Sequence, residues 1–231
     1  MTVVIGGILS FTSQVLAPAQ KKSIELDTKQ SILSAVMTLE KDDDALAIYS
    51  SRIKSMVVDI EGNLIENNKK GNPIIAEEVN ILKNYKKDRS TREYPVFEYM
   101  SETNPDEIEA YILPLYGAGL WNAIYGYVAL EKDLNTIKGV SFGHVAETPG
   151  LGARIDSKEI QIRYQGKTIF DENGNLVSVV MLKGEKKDPS LFGTHEVDGM
   201  SGSTLTAKGL NNMVKDYLVC YESFIKKNQH Q

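Results

Sequence analysis

Four aliphatic hydroxyls, Ser201, Ser203, Thr204 and Thr206, crowd around Gly202, with Asp198 just upstream. Such a density of nucleophilic oxygen suits ester or phosphoester chemistry. Immediately downstream, Leu210, Met213, Val214, Tyr217, Leu218 and Tyr221 recur at i, i+3, i+4, i+7, i+8 and i+11, one face of an amphipathic helix. The hydroxyls therefore sit at a helix N-terminus, where the first backbone N–H groups lack intrahelical acceptors and the dipole is positive. A phosphate placed there is held by main chain as well as side chain. Gly202 adds close approach, having no Cβ to obstruct an anion.

Other readings of the same residues are weaker. Ser203 or Thr204 fits a plain N-cap. Ser201 lies between glycines, as a hydrolase nucleophile would. However, Gly199-Met200-Ser201-Gly202-Ser203 ends in serine where a nucleophile elbow needs glycine, and the bases on offer are His144, His195 and His230. Gly166-Lys167-Thr168 has the tail of a nucleotide-binding P-loop, but Gln161 stands where its first glycine belongs. His144 and Glu147 make no ligand set by spacing, and with one cysteine, Cys220, neither a cysteine-rich metal site nor an internal disulfide is expected. No metal site and no acid–base pair is expected.

The elements that must position this chemistry follow from pattern. The 231 residues, 42% hydrophobic and 25% charged, can bury a real core; net charge is −5 with both signs interspersed, so no nucleic-acid face is expected. Residues 2–17 form an apolar, uncharged run, a little short for a full span, followed by Pro18, Lys21 and Lys22. It reads either as a signal-peptide core or as the latter part of a membrane anchor, with Pro18 closing the helix at the surface. Residues 23–37 read as a helix ended by an acidic turn at 41–44, residues 53–60 as a strand, and 66–94 as a solvated helix with loops. Two strand-like runs flank a turn containing Gly117, Gly119, Leu120 and Trp121. Trp121 there is either core or the wall of a ring-binding site. A rigid loop, Glu147-Thr148-Pro149-Gly150-Leu151-Gly152, follows a further strand, and 168–182 reads as a hairpin about Asn173-Gly174.

Asp198-Gly199-Met200-Ser201-Gly202-Ser203-Thr204 resembles the acceptor motif D-x-x-[S/T]-G-A-T, in which a flavin transferase joins FMN through its phosphate to the final threonine. Ser203 stands where alanine is usual. With Gly119-Leu120-Trp121 and the Glu147–Gly152 loop in the same order, the chain is similar to the FMN-binding domain family, and within it to the C-type subunits of the bacterial Na+-translocating NADH:quinone reductases. That resemblance implies an α+β fold, an FMN-binding domain with mixed or antiparallel sheets and flanking helices, plus an N-terminal, partial transmembrane helix. The implied divisions are an anchor at 1–20, a membrane-proximal region at 21–100 and the FMN-binding domain at 101–231.

It further implies an electron-relay subunit, not a complete enzyme, of a six-subunit inner-membrane complex that oxidises NADH, reduces quinone and exports Na+. Covalent FMN on Thr204 would take electrons from an iron–sulfur centre and pass them to the flavin of the B-type subunit. By motif, Ser201, Gly202, Ser203, Leu205 and Thr206 would form the cradle. Glu147, Thr148, Gly150 and Leu151 would line the ring or ribityl chain, Leu120 and Trp121 would face it, and Asp198 would serve recognition by the flavin transferase. Implied partners are the other five subunits, the transferase and the membrane, with the soluble domain on the periplasmic side. The G-type subunit of a ferredoxin-linked Rnf complex, or an extracytoplasmic FMN carrier, is the alternative.

Overall fold

A computed structural model describes residues 2–68 and 70–229; His230 lies outside the described residues. Five antiparallel strands form one sheet in sequence order: β1 (Ile53–Val58), β2 (Tyr94–Met100), β3 (Ile108–Ala118), β4 (Ala123–Glu131) and β5 (Ile137–His144). Helices α1 (Thr2–Ser34) and α2 (Ala45–Arg52) precede the sheet. Short helices α3 (Ile81–Tyr85) and α4 (Lys158–Gln161) lie in the connections, two short strands, β6 (Val180–Met181) and β7 (Glu196–Val197), pair in parallel, and α5 (Thr204–Asn228) closes the chain. The mixed helix and largely antiparallel sheet agree with the expected α+β class.

Strand alternation divides the interior into two cores. On β4, Ile124, Val128 and Leu130 face one cluster and Ala129 the other, as period-two geometry requires. The first cluster packs against α5 through Leu210, Met213, Val214, Tyr217, Leu218 and Tyr221, the stripe expected from sequence. The second is covered by Ile32 and Leu33 at the end of α1, by Ala35 just beyond it and by Ala45 and Tyr49 of α2.

Three expectations are corrected. Helix α1 does not close at Pro18 but runs through it to Ser34. The residues around Pro18 are exposed, so the carbonyl left without a partner is not trapped in a packed interior. The acidic turn at 41–44 does more than end a helix: Asp44 starts α2, accepting from the N–H groups of Leu46 and Ala47. The hairpin at 168–182 is cut short at Ser178, which adopts φ +66°, its N–H and that of Val177 both donating to the Ile169 carbonyl. Phe170 and Leu176 make one bridge, after which Val180 and Met181 pair with Glu196 and Val197 instead. Asn211 of α5 holds the other edge of this strand, accepting from the Met181 N–H and donating to its carbonyl.

Helix α5 reaches β3 closely at its N-terminal end. A methyl group on Gly209 would overlap the Ala118 carbonyl oxygen, so this glycine sets how near the helix start lies to the β3–β4 turn. Alanine is the better helix former by about 1 kcal/mol, but overpacking against backbone costs up to about 3 kcal/mol. Gly209→Ala is therefore expected to lower the thermal midpoint by roughly 2–8 °C, a net loss of about 1–2 kcal/mol, measured by calorimetry. An unchanged or raised midpoint would mean that the approach is not tight.

Candidate functional site

The hydroxyl cluster separates once it is folded. Thr204 is the first residue of α5 and is exposed, as are Ser201 and Gly202 in the preceding loop. Ser203 is 5% exposed and Thr206 1%. Gly202 adopts φ +74°, which only glycine takes without penalty, and this turn leads the chain into α5. The Ser203 hydroxyl is buried without a hydrogen-bond partner and does not cap the helix, although Ser203 occupies the N-cap position. An accessible threonine preceded by a glycine turn, with unpaired helical N–H groups behind it, suits a phosphoryl group.

Beside that helix start lies the Glu147 carboxylate, 4% exposed. One oxygen accepts from the Trp121 N–H at 3.0 Å and the other from the Thr206 hydroxyl at 2.6 Å. Gly119 and Gly152 lie against it with no room for a side chain. Burial alone would raise its pKa. The Thr206 hydroxyl and the N–H groups of Trp121, Asn122 and Leu120 outweigh burial and hold it below the ordinary 4.5. The β3–β4 turn, the loop after β5 and the start of α5 thus meet at one anion.

Around this junction the surface is apolar. Trp121 is 67% exposed, fixed by its indole N–H donating to the Thr148 hydroxyl at 3.1 Å. It is not core. Leu120, Leu151 and Leu205 are also exposed, and Leu151 lies against Gly202, joining the loop to the acceptor turn. Thr148 and Gly150 are exposed on the same loop. A planar aromatic group could rest on these side chains with its phosphate end at Thr204.

Asp198 stands apart from this group. It is 7% exposed and its carboxylate accepts from the N–H groups of Lys186, Lys187 and Gly199, so it organises the loop beneath the acceptor turn. His144 accepts from the Glu147 N–H and lies 3.5 Å from Asp156, while His195 bonds Thr168. Neither reaches Ser201, which removes the hydrolase geometry. Among the described residues no acidic, histidine or cysteine group could hold a metal. Sequence reasoning missed Arg163 and Glu185, which hold the acceptor turn from below; they lie in segments with no periodic or motif signal.

An FMN-binding domain model matches residues 119–219, spanning all three motifs. The C-type subunit of the Na(+)-translocating NADH-quinone reductase from Pseudomonas aeruginosa is 32% identical, over 88% of this chain and 82% of that protein. Among solved structures, the same subunit from Parabacteroides distasonis is 33% identical with a TM-score of 0.76, covering 91% of this chain and 96% of its own. Shewanella oneidensis NqrC, at 24% identity and a TM-score of 0.72 over 90% of this chain and 98% of its own, shares the fold.

Removing the charge or the hydroxyl at the junction leaves a buried polar group short of a partner. Glu147→Gln and Thr206→Val are each expected to lose about 1–3 kcal/mol in denaturant unfolding. Because the two groups bond each other, the double variant should lose less than the sum, by about 1 kcal/mol. Strict additivity would show that the contact carries no stability.

Proposed function

The chain belongs to the family of C-type subunits of the Na(+)-translocating NADH-quinone reductases, and we propose that it carries FMN on Thr204 through a phosphoester as an electron relay of such a complex. The observation that carries the assignment of the oxygen is accessibility. Of the four clustered hydroxyls, those of Ser203 and Thr206 are enclosed, and of the exposed pair only Thr204 opens the helix.

In forming the link, Thr204 Oγ makes a new P–O bond to the flavin's phosphate. A phosphoanhydride bond of an activated flavin nucleotide breaks, the nucleotide leaves, and the hydroxyl proton passes to a base of the transferase. No electron changes hands in that step. Gly202 and the first N–H groups of α5 receive the phosphate charge. Leu120, Trp121, Leu151 and Leu205 support the ring, while Thr148 and Gly150 lie along its ribityl side. The flavin supplies the redox chemistry; the protein supplies position and electrostatics.

In this reading electrons arrive from an iron–sulfur centre and leave to the flavin of the B-type subunit, and the other five subunits are its partners. Residues 101–231 carry the flavin and 21–100 join it to the anchor. The loop shaped by Asp198 is what the flavin transferase recognises, since the carboxylate itself is enclosed. No described helix is long and apolar enough to cross a membrane. Phe11, Val15 and Leu16 nevertheless stand exposed on α1, well before its packed end at Ile32 and Leu33, and this supports a membrane anchor at 1–20; the inner membrane and the periplasmic side of the domain rest on the family resemblance alone.

The test is the intact mass of the chain made in a host with its flavin transferase. The wild type should carry one FMN group through denaturation, Ser201→Ala and Ser203→Ala should retain it, and Thr204→Ala should lose it entirely. A modified Thr204→Ala chain, or an unmodified wild type, would contradict the assignment.

A further inference from the structure

Directly beneath the acceptor turn lies a half-buried ion cluster for which attachment and ring binding have no direct use. Glu185, with its side chain 8% exposed, accepts two bonds from Arg154 at 2.7 and 3.1 Å and one from Arg163 at 2.9 Å. Its second oxygen lies 3.5 Å from the Ser201 N–H. Arg163 also donates to the backbone carbonyls of Gly199 at 2.6 Å and Asp198 at 3.3 Å. Arg154 belongs to the turn that follows Gly150 and Leu151, and Arg163 follows α4. Four chain segments thus meet at the Glu185 carboxylate, among them the turn that leads to Thr204 and the one that continues the glycine loop, while the exposed Glu159 bonds the same two arginines from outside.

Stability alone does not account for this arrangement. Enclosing three charges forfeits their hydration, and well-packed apolar side chains of the same volume would serve stability as well or better. A bidentate arginine–carboxylate pair instead fixes distance and orientation, because both groups are planar and each has two contact points. Arg154 and then Arg163 hold the Glu185 carboxyl down to about 2, so it stays charged well into acid and the linkage does not loosen with ordinary changes of pH.

We propose that Glu185, bridging Arg154 and Arg163, is a positioning residue for flavin attachment: it locks the acceptor turn to the glycine loop so that Thr204 Oγ meets the transferase in one orientation. It bonds Arg154, Arg163 and the Ser201 N–H and not Thr204, so it acts through the backbone of residues 198–201 and through Arg154. The inference rests on Thr204 being the attachment site. Displacement of a reacting oxygen by about an ångström lowers a rate by up to about a hundredfold, so loosening this brace reads out as slow attachment more than as unfolding.

The experiment follows flavin attachment over time, by intact mass, on the full chain co-expressed with its transferase, with the thermal midpoint of each variant measured alongside. Glu185→Gln and Arg163→Lys should attach flavin about tenfold more slowly or worse, and Glu159→Gln, which alters the cluster's exposed outer carboxylate, should match wild type. Val128→Ala in the sheet core supplies a chain destabilised by packing alone, and it should attach flavin at the wild-type rate. Wild-type attachment in both Glu185→Gln and Arg163→Lys overturns the proposal, as does an equal slowing in Val128→Ala. Should Glu185→Gln fail to fold, Arg163→Lys decides alone by the same criterion. A wild-type chain that never gains flavin overturns the attachment reading and this inference together, whereas a flavinylated wild type with unaffected variants overturns only this inference.

Discussion

The site depends on one enclosed anion. Sheet pairing and the packing of α5 bring the β3–β4 turn, the loop after β5 and the first turn of α5 near one another, and Glu147, on that loop, bonds the other two directly. Trp121 gives an N–H, Thr206 gives a hydroxyl, and the glycines at 119 and 152 give the space. A carboxylate at this depth survives only if its charge is answered by donors, and those donors come from the segments that frame Thr204. The same bonds that solvate the anion therefore set the shape of the site.

Around that junction the fold divides its labour. The sheet and α5 build a dry core whose register carries the β3–β4 turn to the helix start, and the close approach at Gly209 fixes their separation. Enclosure of Ser203 and Thr206 leaves Thr204 as the reachable oxygen on the helix, while the exposed Trp121, Leu151 and Leu205 offer apolar area next to it. A relay flavin needs both features: a rigid hold at the phosphate end and an open edge for exchange with another redox centre.

Much of this was legible in the sequence, and what was not has physical causes. The acceptor turn, the glycine loop and the α5 stripe are local patterns, so spacing alone finds them. Strands β3, β4 and β5 were legible for the same reason. Pro18 misled because a proline inside an exposed helix removes one bond without forcing an end. The 168–182 hairpin stops early because residues 180–182 pair with 195–197 on one side while Asn211, thirty residues on from Met181, bonds the Met181 backbone on the other. Glu147 was assigned to lining the ring from its motif; its full engagement with Trp121 and Thr206 depends on contacts across 26 and 59 residues, which no local pattern records. Arg163 and Glu185 escaped for the same reason.

The most direct test of the central interaction is the ionisation of Glu147 itself, followed by carbon-13 NMR of the carboxyl groups in the full chain, with Glu147→Gln identifying the resonance. A depressed pKa contributes stability that is present above the ordinary value and lost as pH falls through the folded one. The account predicts that Glu147 titrates below 4.5. A midpoint at or above 4.5 would show a carboxyl dominated by burial and not answered by its donors, and the junction would lose its organising charge.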